Sequence, residues 1–190
     1  MCAAIPASEP ESGMLLIASP ILQDPNFARS VVFVIDHRED GTTGVILNRP
    51  SQVRVLDVLP QWSALAVGSR TLFVGGPVEK NAALCLARRA PGSQPAGWTT
   101  VTGQIGLTDL DGDPARLGSE LHELRIFAGY SGWGRDQLQR EIGEGAWFVV
   151  PALPSDVFAD PGVDLWREVL RRQTGSLALL SSYPDDPHLN

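Results

Sequence analysis

Leu124-Arg125-Ile126-Phe127-Ala128-Gly129-Tyr130-Ser131-Gly132-Trp133-Gly134 is the stretch on which the fold turns. Its first five residues form an apolar strand pattern. Three glycines with Tyr130, Ser131 and Trp133 between them follow. Glycine takes positive φ, or lets another backbone pass close, without steric cost. Tyr and Trp bring large apolar bodies with one polar tip each. Beyond Gly134, Asp136 to Ile142 reads as a short helix with Leu138 and Ile142 on one face. The sequence therefore predicts strand, tight glycine–aromatic turn, then helix: a constrained corner.

Working outward, Val31 to Ile35 is a β-branched and aromatic run that reads as strand, ended by Asp36-His37-Arg38. Glu39-Asp40-Gly41-Thr42 is a hairpin turn, and Thr43 to Leu47 returns to Asn48-Arg49-Pro50. Closing this hairpin sets Ser30 beside Asn48 and leaves His37 near Thr42 and Gly44. Met14 to Ala18, Thr71 to Val74, Trp98 to Thr102, Gln104 to Leu107 and Trp147 to Val150 are further strands. Ala82 to Ala87 fits strand or helix equally. Gly75-Gly76-Pro77-Val78 is a second glycine turn and lacks the Gly-Lys-Ser/Thr of a phosphate loop. Short helices are expected over Val53 to Leu59, from Pro114 through Leu117 to Leu121, and over Asp164 to Gln173. Short helices scattered among strands, without long crossovers, predict an α+β fold on a strongly bent, mostly antiparallel sheet. One domain over residues 13–183 is expected, with a loose tail at 1–12 and a polar tail at 184–190.

Composition narrows the function classes. A hydrophobic content of 43% with 19% charged residues is that of a globular chain. The net charge of −7 argues against direct DNA binding, which draws its affinity from Lys and Arg neutralising phosphates. The two cysteines, Cys2 and Cys85, make no disulfide framework and no zinc spacing. With no signal-peptide pattern and no apolar run of ~18 residues, a cytoplasmic protein without a membrane span is expected.

Two motifs suggest chemistry. Gly129-Tyr130-Ser131 approaches the nucleophile elbow Gly-x-Ser-x-Gly, but Trp133 stands where its last Gly belongs. Ser131 would need His37 as its base, in an unusual chain order; His122 and His188 are the other histidines. Asp109-Leu110-Asp111-Gly112-Asp113 resembles a calcium loop, but Pro114 falls where the sharp turn needs Gly. Asp113 as a helix cap with Pro114 opening the helix is the better reading. No metal set and no cofactor is expected.

Phe27-Ala28-Arg29-Ser30-Val31-Val32, His37, Gly44-Val45-Ile46-Leu47-Asn48-Arg49-Pro50, Gly75-Gly76-Pro77-Val78 and Gly129-Tyr130-Ser131-Gly132-Trp133, with Gln137, Glu141 and Trp147, occur in order. In this the chain resembles the YqgE/AlgH family (UPF0301, DUF179) over nearly its whole length. The resemblance implies a bent sheet closing partly into a barrel with helices around it. It implies a regulatory description resting on a genetic link to alginate production, and no established catalytic residue or cofactor. Many members carry Leu-His where this chain reads Leu86-Ala87, so no general role can rest on that His. The expected function is a regulatory or adaptor protein that binds a protein or small-molecule partner. The candidate lining is His37, Asn48, Arg49, Gly76, Tyr130, Ser131 and Trp133. Asn48 donates and accepts, Arg49 offers a planar fork for an anion, and Trp133 a flat apolar wall. The alternative is a hydrolase using Ser131 with His37.

Overall fold

The structure is a computed structural model that describes residues 9–66 and 70–184. Cys2, His188 and most of the two expected tails lie outside the described residues. Among the described residues, ten strands form one strongly curled, mainly antiparallel sheet in the order β10-β1-β2-β3-β9-β6-β8-β7, with β4 on β5 and β5 on β9. The strands are β1 (Met14–Ala18), β2 (Val31–Arg38), β3 (Gly41–Ile46), β4 (Pro50–Arg54) and β5 (Thr71–Val74). They continue as β6 (Val78–Arg89), β7 (Thr99–Thr102), β8 (Ile105–Thr108), β9 (Leu121–Gly134) and β10 (Trp147–Pro151). Short helices punctuate them: α1 (Val55–Val58), α2 (Pro114–Leu117), α3 (Gln137–Gly143), α4 (Pro154–Val157), α5 (Leu165–Arg171) and α6 (Ser176–Leu180). This is the bent α+β sheet that the strand pattern predicts.

The expected corner at Gly129 is instead a bend inside a strand. β9 runs unbroken for 14 residues, and the turn into α3 falls at Arg135–Asp136. Up to Tyr130, β9 pairs antiparallel with β6, and Phe127 and Ala128 pair parallel with β5. From Ser131 to Gly134 it pairs with β3. Gly129, at φ +69, makes the change of direction, and a Cβ there would lie 2.7 Å from the Val78 carbonyl oxygen. Propensity could not show this, because the ladder that keeps residues 131–134 extended comes from β3, far away in sequence.

Other boundaries shift for similar reasons. β2 extends to Arg38 because the hairpin turn is the pair Glu39–Asp40, with Arg38 opposite Gly41. Ala82 to Ala87 resolves as strand within β6, held between β8 and β9. β4 was not expected from sequence, and α2 ends at Leu117 instead of running to Leu121, where β9 begins. Asp113 caps α2 by accepting from the Ala115 amide, as its spacing predicts.

Both faces of the sheet are covered, which is why β2 reads as a continuous apolar run. Val31, Phe33 and Ile35 join the cluster of Phe73, Phe127 and Trp166, while Val32 and Val34 join that of Trp133, Leu138 and Trp147. A third cluster gathers Trp62, Leu124 and Ile126. α5 is only seven residues long, too short to persist alone. It buries Leu165, Trp166, Val169 and Leu170, each such side chain contributing about 1.5–3 kcal/mol.

Candidate functional site

Three separated bends meet where β3 leaves β9. The Gly75 carbonyl accepts from the Ile46 amide at 2.9 Å and from the Ser131 hydroxyl at 3.0 Å. The Gly75 amide donates to Ala128 O at 2.9 Å. A Cβ on Gly75 would stand 2.2 Å from the Gly129 carbonyl oxygen, and one on Gly76 2.2 Å from that of Tyr130. The glycines are there because backbone passes backbone at this knot.

The other sequence-predicted residues take up places around it. Asn48 continues the β2–β3 ladder with its side chain, accepting from the Val31 amide at 3.0 Å and donating to Arg29 O at 2.8 Å. The neighbouring guanidinium, Arg49, donates to Ala28 O at 2.9 Å. Desolvation lowers its pKa, opposed by the charge of Asp24. Tyr130 packs half-buried against the cluster of Phe73 and Trp166. Ser131 is fully buried. Its hydroxyl is directed to Gly75, while His37 Nδ1 lies 2.7 Å from Thr42 Oγ1. The Ser131–His37 hydrogen bond that a catalytic pair requires is not formed.

Trp133 explains the rest of the motif. Its ring packs on Phe27 at 5.8 Å and on Trp147 at 5.6 Å between centroids, and Phe27 packs on Trp147 at 5.5 Å. Glu141 of α3 closes this cluster. Its Oε2 accepts from the Trp133 indole at 2.9 Å and the Trp147 indole at 2.8 Å, and its Oε1 from Gln137 at 2.9 Å. One carboxylate thus fastens α3 to β9 and β10 and satisfies two buried indole N–H groups.

Among the candidate residues, His37 lines a sizeable cleft. A space of about 650 Å³ opens between the β2–β3 hairpin tip and the β9–α3 turn. The hairpin contributes His37, Arg38, Glu39 and Thr42, and the turn Arg135 and Asp136, with Gln139 from α3. Arg38 is held by Asp36 at 2.9 Å. Asp136 sits at φ +57, a left-handed conformation that Asp and Asn tolerate better than most residues. Sequence reading pointed to the hairpin and to His37 but missed Arg135, Asp136 and Gln139. The available signal was a charged pair just past the last glycine, where the chain must turn.

Two other features stand apart. Arg125 is buried in β9 with its guanidinium 4.1 Å from the Phe73 ring centroid. It donates to Leu47 O at 3.5 Å and to Ala159 O. Burial pulls its pKa down to about 10, against the fields of Asp160 and Glu123. Ala87, where relatives were expected to carry His, is fully buried between Leu124 and Gly106. No cluster of His, Cys, Asp or Glu fit to hold a metal occurs among the described residues, and no described helix is long and apolar enough to cross a membrane.

The curled sheet and its short helices make this an α+β half-barrel. Among solved structures it is similar to a Corynebacterium diphtheriae protein at TM-score 0.90 and 37% identity, covering 95% of this chain and 96% of that one. It is also similar to the AlgH protein of Pseudomonas aeruginosa at TM-score 0.69 and 27% identity, over 96% and 100% of the two chains. The chain belongs to the AlgH-like DUF179 family, whose model matches residues 15–178. A UPF0301 protein of Streptomyces avermitilis is 50% identical over 94% of this chain and 95% of its own length. One of Mycobacterium tuberculosis is 47% identical over 95% and 91%.

Proposed function

We propose that this protein is a cytoplasmic regulatory or adaptor protein that works by binding a partner or small ligand at the hairpin cleft. The observation that carries the proposal is a division of labour among the motif residues. Asn48, Arg49, Ser131 and Trp133 spend their polar groups on the chain's own backbone and side chains. His37, by contrast, borders a cleft of about 650 Å³, within the ~300–1,000 Å³ of small-molecule sites. A hydrolase reading has less support, since Ser131 is enclosed and donates to a carbonyl. The regulatory link implied by the family resemblance would then run through the bound partner, in keeping with a net charge of −7 that disfavours DNA.

Native mass spectrometry of the protein isolated from cells tests this. A bound species should accompany the parent chain and be lost from the His37→Ala, Arg135→Ala double variant. A species retained undiminished by that variant would refute the cleft as the working site.

A further inference from the structure

We infer that the cleft takes a small zwitterion, a free α-amino acid or a short peptide, whose carboxylate and ammonium are read by opposite charges on its two walls. The inference rests on the cleft being the binding site and adds the ligand class. Its basis is the set of unspent charges. Among the described residues, the Arg135 side chain in the cleft has no hydrogen-bond or ion-pair partner, and the same holds for the carboxylates of Glu39 and Asp136.

An anion alone would meet Arg135 but also two carboxylates, and a cation alone would meet Arg38 and Arg135. Only a ligand carrying both charges is matched by every charged wall. Neutral polar groups complete the set. With Nδ1 against Thr42, the His37 ring keeps Nε2 for another partner. Gln139 brings an amide able to donate and to accept.

The test is an amide-resolved NMR titration of the full chain with three probes. They are an equimolar mixture of the twenty common amino acids, the same mixture N-acetylated, and the same mixture as carboxamides. The expected result is saturable shifts at Gly41, Thr42 and Gly134 with the free amino acids, and binding at least about tenfold weaker for either half-charged mixture. That factor corresponds to losing one charge-assisted contact. Arg135→Ala should erase the distinction between free acids and carboxamides. Asp136→Asn, which keeps a residue suited to φ +57, should weaken the preference for a free ammonium.

Equal responses to all three mixtures overturn the inference. So does equal binding of the N-acetylated mixture, which would identify an anion site and leave the cleft as a binding site intact. Cleft amides unmoved by every probe also overturn it, while a co-purified species sensitive to the His37, Arg135 double variant would still uphold the cleft.

Discussion

Replacing Glu141 by Ala should be among the most damaging single changes outside the sheet. The carboxylate accepts three hydrogen bonds, two of them from indole N–H groups of nearly inaccessible tryptophans. Each buried donor left without a partner costs about 1–3 kcal/mol, so two give roughly 2–6 kcal/mol. Water reaching the space vacated by the half-buried Glu141 side chain offsets some of this, and about 3 kcal/mol is expected. For a chain of this size that lowers the melting temperature by roughly 6–12 °C. Glu141→Gln should cost only about 1 kcal/mol, because its amide oxygen can still accept from both indoles while the charge is lost. Urea unfolding followed by tryptophan fluorescence, with near-UV circular dichroism on the native state, measures both variants. An Ala variant within 1 kcal/mol of the parent, or a Gln variant worse than Ala, would refute the carboxylate's role as the fastening of α3.

Gly76→Ala should cost about 3 kcal/mol or more, because the added Cβ falls 2.2 Å from a backbone oxygen at φ +156; a soluble variant with parental stability in urea would contradict the close packing at the knot. Cys85 is buried and its thiol pKa is pushed up to about 12, so it should not react with a disulfide reagent at pH 8 until the protein unfolds; prompt labelling of the folded chain would contradict its enclosure. At Asp164, burial opposes the charge, but hydrogen bonds from the Arg167 amide and guanidinium, with the field of Arg29, outweigh it and lower the pKa. The stabilisation from this α5 cap should be fully present above the ordinary carboxylate range and lost as pH falls below it. Urea titrations of the parent and of Asp164→Asn should therefore converge in acid, and a gap that widens there would reverse the sign.

The hairpin, the capped α2 and the bent α+β class were legible because each rests on neighbouring residues. A short polar run, Glu39-Asp40, between apolar strands selects a turn, and Asp113-Pro114 opens a helix, whatever lies elsewhere. The continuation of β9 through Gly129 was not legible, since the deciding ladder is with Gly41 to Gly44 of β3, far away in sequence. The cleft was legible by half. His37 was found beside Thr42 through hairpin register, while Arg135, Asp136 and Gln139 join it only through the way β9 docks on β3. Arg125 was hidden in an apolar run, where a charged residue reads as an outward-facing position; Leu47 and Ala159, whose carbonyls accept its hydrogen bonds, are distant in sequence.

β9 also governs how the molecule comes apart. It is hydrogen-bonded to β6 over one part of its length and to β3 over the other, so neither flank of the sheet can melt while leaving its neighbour a complete partner. The amides of Phe127 through Trp133 should exchange with deuterium only through whole-molecule opening, at one shared rate. A chain of many small pieces should thus unfold as a single unit, with no stable fragment on either flank.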